Sequence, residues 1–548
     1  MAKQLSSNLR SIAFGIPAVL LASIPAAGQA PAKAPVRSAV PSSTQASVQP
    51  EKIEPVALAR IREEAFSRSK VMETARYFTD VTGPRLTGSP GLRVAQAYAR
   101  DRLREWGLPV ANLEPWGPFG RGWTLEGFTA NLTAPNFGPL IGYPKAWSAS
   151  TAGLLRGEPL LFDVRTAADL DRYRGKLKGR IVLFSGARPL RDLPPSQRLS
   201  DSDLLRLANA APPVYPAPIG KKSGADLEER KWRMLYGEGP AVVIEPGVGE
   251  NGMVAVKAAR ALPIQGQAEP QRPHAWDMKK TPVLPQVVLA TEHYNRLVRL
   301  ASSGVPLKVD IQVTVRYHEE DPMSANVIGE LPGGDLKDEV VMLGGSLDSW
   351  HTGTGATRNA AGAAVAMEAM RILIATGLRP RRTIRVALWS GGEQGSLGSQ
   401  AYVAAHFGKR IVGPDSVARM TPGPDHARLA GYFNLDHGTG RIRGVYLQGN
   451  EAVRPVFRAW LAPFVDLGAT TLTSAGIGAS DHASFDAVGL PGFQFLRDFM
   501  EGPGHTNLDV FDRLQEDDLK QSATLAASFA YLLANRDLKL PRKAPGSY

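Results

Sequence analysis

The spacing of apolar residues divides this chain into three patterns. From Ile53 to Leu108 apolar positions recur every three or four residues, which predicts helices, and the turn sequence GPRLTGSPG at 83–91 interrupts them. From about 130 to 290 short β-branched runs such as RIVLFSG alternate with loops rich in proline and glycine. From about 295 apolar strands alternate with amphipathic helices, which indicates an α/β sheet covered by helices on both faces.

Two strand-to-loop segments of the third pattern are candidates for chemistry. The sequence EVVMLGGSLDSW at 339–350 predicts a buried strand that ends in a loop, and TIRVALWSGGEQGSLGS at 383–399 predicts a second strand followed by a glycine-rich loop. A helix is expected between them at 359–377, with Asn359 as its N-cap and Gly377 as its stop. Because ligands of open α/β sheets bind beyond the carboxyl ends of the strands, we expect a site in these loops.

The N-terminus predicts export. Residues 1–30 have a basic start, an apolar stretch and a small-residue exit, which is the layout of a signal peptide. Residues 31–52 are rich in proline, alanine and serine and read as a disordered linker. We expect a periplasmic or secreted protein without a membrane span after leader cleavage; an uncleaved leader that acts as an anchor is the alternative.

Composition narrows the function classes. The chain of 548 residues is 43% hydrophobic and 21% charged, which is typical of a folded globular protein. Its net charge of +12 is spread along the chain without a long basic run, so we expect no nucleic-acid binding. The absence of cysteine excludes disulfides, thiolate zinc ligands and a cysteine nucleophile.

Several motifs, in order, resemble the two-zinc exopeptidases of the carboxypeptidase Q (plasma glutamate carboxypeptidase) type. The matching segments are GPRLTGSP (83–90), GRGW (120–123), SLDSW and GTGAT (346–357), GGEQGSLGS (391–399), FNLDHGTGR (433–441), SDHASFDAVGLPGFQF (480–495) and HTNLDVFDRL (505–514). The resemblance implies a phosphorylase/peptidase-like three-layer α/β/α domain with a mixed central sheet, formed by 53–130 and 295–548. It also implies a β-rich protease-associated-like domain inserted at 131–294.

In such exopeptidases two zinc ions are held by five protein ligands, and a glutamate acts as general base. Carried over by motif, three of these positions are changed: the first histidine is Ser346, the bridging aspartate is Arg358 and the general base is Gly392. The ligand positions that keep their residue type are Glu393, Asp436 and His505, and Asp348 keeps the place of a residue that orients the first histidine.

These changes predict a site with impaired zinc binding and impaired catalysis. A glycine transfers no proton, and the guanidinium of Arg358 stays charged and repels a dication. We therefore expect Arg358 to replace the metal structurally by pairing with the carboxylate of Glu393 or Asp436.

Two histidine-containing segments carry alternatives. Ser480, Asp481 and His482 border the substrate pocket in the family; we do not expect a hydrolase triad, because three consecutive side chains do not face one another. His351 lies close along the chain to Ser346, and a solvent-facing loop histidine is expected there in preference to a displaced ligand.

The sequence thus predicts an exported peptide-binding pseudo-peptidase, with peptides or dipeptides as ligands. An active exopeptidase with one metal on Glu393 and His505 is the alternative, so whether the chain is an enzyme stays open. Zinc is expected at one site at most, at substoichiometric occupancy or not at all. A homodimer, or an inactive partner of an active relative, is left open.

Overall fold

The computed structural model describes residues 51–190, 197–212, 225–262, 273–278, 281–412, 418–436, 439–478, 480–499 and 504–544. Its strands are β1 (Val110–Trp116), β2 (Gly122–Ala134), β3 (Gly138–Pro139), β4 (Gly142–Pro144), β5 (Leu155–Gly157), β6 (Leu160–Leu161), β7 (Ile181–Leu183), β8 (Val242–Pro246), β9 (Gln286–Leu289), β10 (Lys308–His318), β11 (Ser324–Leu331), β12 (Leu336–Ser346), β13 (Arg382–Trp389), β14 (Gly408–Val412), β15 (Ala418–Pro422), β16 (Leu429–Asn434), β17 (Ile442–Tyr446), β18 (Thr471–Thr473) and β19 (Gly492–Arg497).

The α-helices surround these strands. They are α1 (Pro55–Ser67), α2 (Val71–Arg76), α3 (Pro90–Glu105), α4 (Asp201–Ala208), α5 (Ala225–Glu238), α6 (Thr291–Ser302), α7 (Ala361–Ala375), α8 (Leu397–His406), α9 (Arg454–Leu461), α10 (His482–Asp486) and α11 (Glu516–Asn535). Among the described residues, none of these helices has the length and apolar character that crossing a membrane requires.

The central sheet has eight strands in the order β1-β11-β13-β12-β16-β19-β17-β18. The four inner strands from β13 to β19 are parallel to one another, whereas β11 and β17 run antiparallel to their inner neighbours. The sheet is therefore mixed, which confirms the predicted fold class.

Burial alternates along the inner strands and assigns each face to one helical layer. On β12, Val341 and Leu343 belong to the core under α7 and α11, while Val340 and Met342 belong to the core under α8 and α10. Both sides of the strand are apolar, as expected for parallel strands covered on both faces. The result is a three-layer α/β/α arrangement.

The β-rich portion is wider than the sequence predicts. Strand β2 pairs with β10 antiparallel from Gly122 to Ala134, so the predicted boundary between 130 and 131 falls inside a paired strand. The boundary between 294 and 295 falls inside α6. The apolar faces of β2 and β10 share one core with β7, β8 and β9, so these strands form one packed unit. Its protease-associated identity stays a prediction.

The predicted helix start at 359–377 needs one correction. Asn359 lies inside a π-helical turn, Ala356–Ala360, and α7 begins after it without a side-chain cap. The Asn359 amide instead donates to the carboxylate of Glu393 at 3.0 Å, so a contact distant in sequence takes the place of the local cap. Gly377 follows the helix end with φ +65°, as a stop residue should.

The predicted signal peptide at 1–30 and nearly all of the predicted linker at 31–52 lie outside the described residues. Glu51, near the end of that linker, accepts a hydrogen bond from Arg536 at 2.8 Å.

Candidate functional site

Four parallel strands deliver the predicted site residues to one edge of the central sheet. Ser346 ends β12 opposite Trp389, the last residue of β13, and the loops after β13, β16 and β19 leave at the same edge. A cavity of about 760 Å³ opens there. The predicted positions that line it are Arg358, Gly392, Glu393, Asp436, Ser480 and His505.

Glu393 and His505 bond to each other. The Glu393 Oε1 lies 3.0 Å from the His505 Nε2 and also accepts a hydrogen bond from Asn359. Burial alone would raise the pKa of Glu393, but His505 and the nearby Arg358 outweigh it and hold the pKa at about 2. Burial acts to lower the pKa of His505, and the Glu393 carboxylate raises it above the ordinary value. The two groups therefore favour a carboxylate–imidazolium pair.

Arg358 lies beside this pair on the π-helical turn. Its Nη1 is 3.3 Å from the His505 Nε2, and its Nη2 donates to the main-chain oxygen of Asp436 at 3.4 Å. These two contacts are to an imidazole ring and to a carbonyl oxygen. The pairing of Arg358 with the carboxylate of Glu393 or Asp436 stays a prediction. The guanidinium charge still reaches Glu393, since it contributes to the lowered pKa of that carboxyl.

Ser346 occupies the space next to Gly392. A Cβ atom built on Gly392 would lie 2.2 Å from the Ser346 Oγ and 3.0 Å from the Ser346 Cβ. The hydroxyl is fixed there because it donates to the Asp481 Oδ2 at 3.0 Å, and both residues are buried. Burial and the neighbouring Asp436 raise the pKa of Asp481.

The carboxylate of Asp348 bonds to the main chain of the glycine-rich loop that follows β13. It accepts the main-chain N–H of Gly392 at 2.9 Å, the N–H of Glu393 at 3.1 Å and the hydroxyl of Thr87 at 3.1 Å. Burial, assisted by the charge of Glu393, raises the pKa of Asp348 to about 7 despite these bonds. Asp348 therefore positions the loop that carries Glu393.

The three residues of the SDH sequence separate in space. Ser480 lines the cavity and donates to the Asp436 Oδ2 at 3.3 Å. Asp481 is buried against Ser346, and the His482 Nε2 lies 2.7 Å from the Gln448 Nε2 and 2.8 Å from the Ile477 oxygen. Only Ser480 of the three lines the cavity, because the turn into α10 directs its successors into the protein.

His351 is neither the solvent-facing loop histidine nor the displaced metal ligand that the sequence analysis considers. It is buried, its Nε2 donates to the Pro144 oxygen at 2.9 Å, and its ring contacts Trp123 edge-on with centroids 4.8 Å apart. Burial lowers its pKa to about 4, so the ring is neutral. The expectation of a solvent-facing loop histidine is wrong, because the β-rich portion covers this loop.

Sequence reasoning missed several supporting residues. Arg85 donates to the main-chain oxygens of Leu347, Thr354 and Gly355 and so fixes the loop after β12. Asp509 accepts the Thr357 N–H at 2.7 Å, at the start of the turn that carries Arg358. Arg85 and Asp509 stand in two of the motifs above, but their partners are remote in sequence and no local pattern assigns them.

Comparison with known proteins identifies the α/β domain. Residues 326–530 match the model of peptidase family M28. This segment, which holds the strands and loops of the site, is therefore similar to that family. The M28 match covers all the site positions that the sequence predicts.

Relatives and solved structures extend the M28 likeness over most of the chain. Carboxypeptidase Q of Xenopus laevis is 24% identical over 491 residues, which are 87% of this chain and 88% of that protein. Human carboxypeptidase Q is 27% identical over 263 residues, and the match spans about half of each protein, 48% and 52%. A peptidase M28 precursor from Shewanella amazonensis has a TM-score of 0.60 at 22% identity and covers 90% of this chain and 99% of its own. A zinc aminopeptidase from Bacillus subtilis has a TM-score of 0.52 at 17% identity, covering 85% and 94%. Each of these two solved structures is similar to this chain in fold.

Proposed function

We propose that this chain is an exported M28 protein that binds short peptides and hydrolyses them barely or not at all. The observation that carries the proposal is the Arg358 guanidinium, which lies 3.3 Å from the His505 Nε2 at a position where the family resemblance implies a metal-bridging carboxylate. A fixed positive charge there opposes zinc and at the same time compensates the carboxylate of Glu393.

Gly392, at the position where the family resemblance implies the general base, offers no acceptor for the proton of an attacking water. Gly392 has no side chain, and a methyl group at that position already collides with Ser346. The buried carboxyls of Asp348 and Asp481 are engaged by loop N–H groups and by the Ser346 hydroxyl. A general base contributes about 10²–10⁴ to the rate, so its loss alone would leave little activity.

The residues present do not fit two zinc ions. Within the part of the chain that the structure describes, no group of three or more histidines, aspartates and glutamates is arranged to hold a metal. Structural and catalytic zinc sites use three or four protein ligands per ion. Zinc at substoichiometric occupancy, or none, is therefore the proposal for this site.

One distance favours the second candidate, an exopeptidase with a single metal. Two ligand atoms on a tetrahedral zinc, each about 2.0–2.1 Å from it, are about 3.3 Å apart. The Glu393 Oε1 and the His505 Nε2 are 3.0 Å apart, close to that spacing. A metal between these two atoms would, however, displace Arg358 from His505.

The test compares binding and turnover in the same protein. Purified mature protein, dialysed against micromolar zinc, is mixed with a dipeptide and tripeptide panel; binding is measured by calorimetry and products by mass spectrometry. The proposal predicts binding without products. Turnover that is lost in Glu393→Gln and His505→Ala, but kept in the exposed control Glu63→Gln, would favour the single-metal enzyme. Absence of both binding and turnover would contradict both candidates.

A further inference from the structure

The cavity that Arg358 lines carries further positive charge on a neighbouring hairpin. Lys409 and Arg410 lie on β14, the first strand of the hairpin that β14 forms with β15, and both line the cavity. Both are exposed, and neither has a hydrogen-bond or ion-pair partner among the residues that the structure describes. With Arg358, three cationic side chains face one space of about 760 Å³.

Within the described part of the chain, the two carboxylates that line the cavity are already engaged. Glu393 is bonded to His505 and to Asn359. The Asp436 Oδ2 accepts the hydroxyl of Ser480 at 3.3 Å. The cavity is therefore arranged to attract an anion, and a ligand amine would have to compete with His505 for Glu393.

One part of the wall is apolar and built from small side chains. Alanines and valines of α8 and of the α10 region form it: Val403, Ala404, Ala483, Ala487 and Val488. Its size falls within the roughly 300–1,000 Å³ of ligand pockets, and small wall residues leave room for a side chain of the ligand.

We propose that this cavity recognises a short peptide by its free C-terminal carboxylate. Arg358, Lys409 and Arg410 supply the positive charge that attracts the carboxylate, and an apolar terminal side chain lies on the alanine–valine wall. Arginine binds a carboxylate through two parallel hydrogen bonds, one to each oxygen. A primary amide has a single acceptor oxygen and cannot form both. The inference rests on the proposed function, because it names the ligand end that the same cavity binds.

Three matched probes test it by calorimetry on the full mature protein: Ala-Ala-Leu, its C-terminal amide and its N-acetyl form. We expect the amide to bind at least tenfold more weakly than the free peptide and the acetyl form to bind about equally. Binding of the free peptide should weaken as salt is raised. Loss of affinity on acetylation but not on amidation, or equal binding of all three, would overturn the inference while leaving peptide binding intact. If no probe binds, the proposed function itself fails.

Surface variants locate the contact. Lys409→Gln and Arg410→Gln should each weaken binding of the free peptide several-fold and leave the amide unchanged. Arg419→Gln is the matched control, because Arg419 is exposed on β15 of the same hairpin but does not line the cavity. An equal effect of Arg419→Gln would show attraction by overall charge alone and would overturn the assignment to these side chains.

Discussion

A methyl group added at Gly392 should destabilise the protein chiefly through its collision with Ser346. The new Cβ would lie 2.2 Å from the Ser346 Oγ, a distance that forces the hydroxyl to move. Moving it breaks the 3.0 Å bond to Asp481, and both side chains are buried with exposed fractions of 1% and 0%. The cost thus has a steric part and a hydrogen-bonding part.

Both parts have known scales. Overpacking of a tight interior costs about 1–3 kcal/mol, and a buried polar group left without its partner costs about 1–3 kcal/mol. Because relaxation of the glycine-rich loop relieves part of both, we expect Gly392→Ala to lower the free energy of unfolding by about 2–4 kcal/mol.

A double-mutant cycle in urea separates this collision from other effects. Ser346→Ala removes the Oγ but keeps a Cβ at 3.0 Å, so Gly392→Ala should cost about 1–2 kcal/mol less in that background. Gly237→Ala is the control: it lies in α5 with nothing within 4 Å of the added Cβ, and there alanine should stabilise by about 0.5–1 kcal/mol. If Gly392→Ala changes stability by less than about 0.5 kcal/mol and shows no coupling to Ser346, this packing of the site is refuted.

Three further predictions concern charge, pH and export. Arg358→Asp should raise zinc affinity at least tenfold, measured by competition with a zinc indicator, whereas the neutral control Arg358→Gln should raise it less; equal zinc binding by Arg358→Asp and the parent would contradict the role of the guanidinium. Because the pKa of Asp348 rises from 3.8 to about 7, the folded state keeps a proton that the unfolded chain releases, so the carboxyl stabilises the fold most at low pH. The free energy of unfolding should lose up to about 4 kcal/mol as pH rises from 4 to 7, and Asp348→Asn should flatten that slope; an unchanged slope would refute the assignment. In cell fractions the exported protein should begin near residues 27–31, and a retained N-terminus would indicate an anchor.

The sheet and the convergence of the site residues followed from the sequence, because their causes are local. The apolar run before Ser346 and the run before Gly392 each predict a buried strand, and parallel strands end at one edge. This is why Glu393, Asp436 and His505, which are far apart in the chain, line one cavity.

What the sequence could not predict depends on contacts between distant segments. Asparagine is common at helix N-caps, but the side-chain amide of Asn359 donates a hydrogen bond to Glu393 instead. A π-helical turn takes the place of the expected helix start. His351 is covered by residues more than 200 positions earlier in the chain, Pro144 and Trp123, so its loop sequence wrongly suggested exposure. Lys409 and Arg410 form no motif; only the folding of the hairpin against α8 brings them to the cavity.

Metal content tests the central claim most directly. The purified mature protein is dialysed against micromolar zinc, and zinc per chain is measured by elemental mass spectrometry alongside Arg358→Asp. With Arg358 in place we predict far less than one zinc per chain, and more in the variant. One zinc per chain in the unmodified protein would favour the single-metal exopeptidase on Glu393 and His505. Two would contradict the assignment of Ser346, Arg358 and Gly392 to the changed positions.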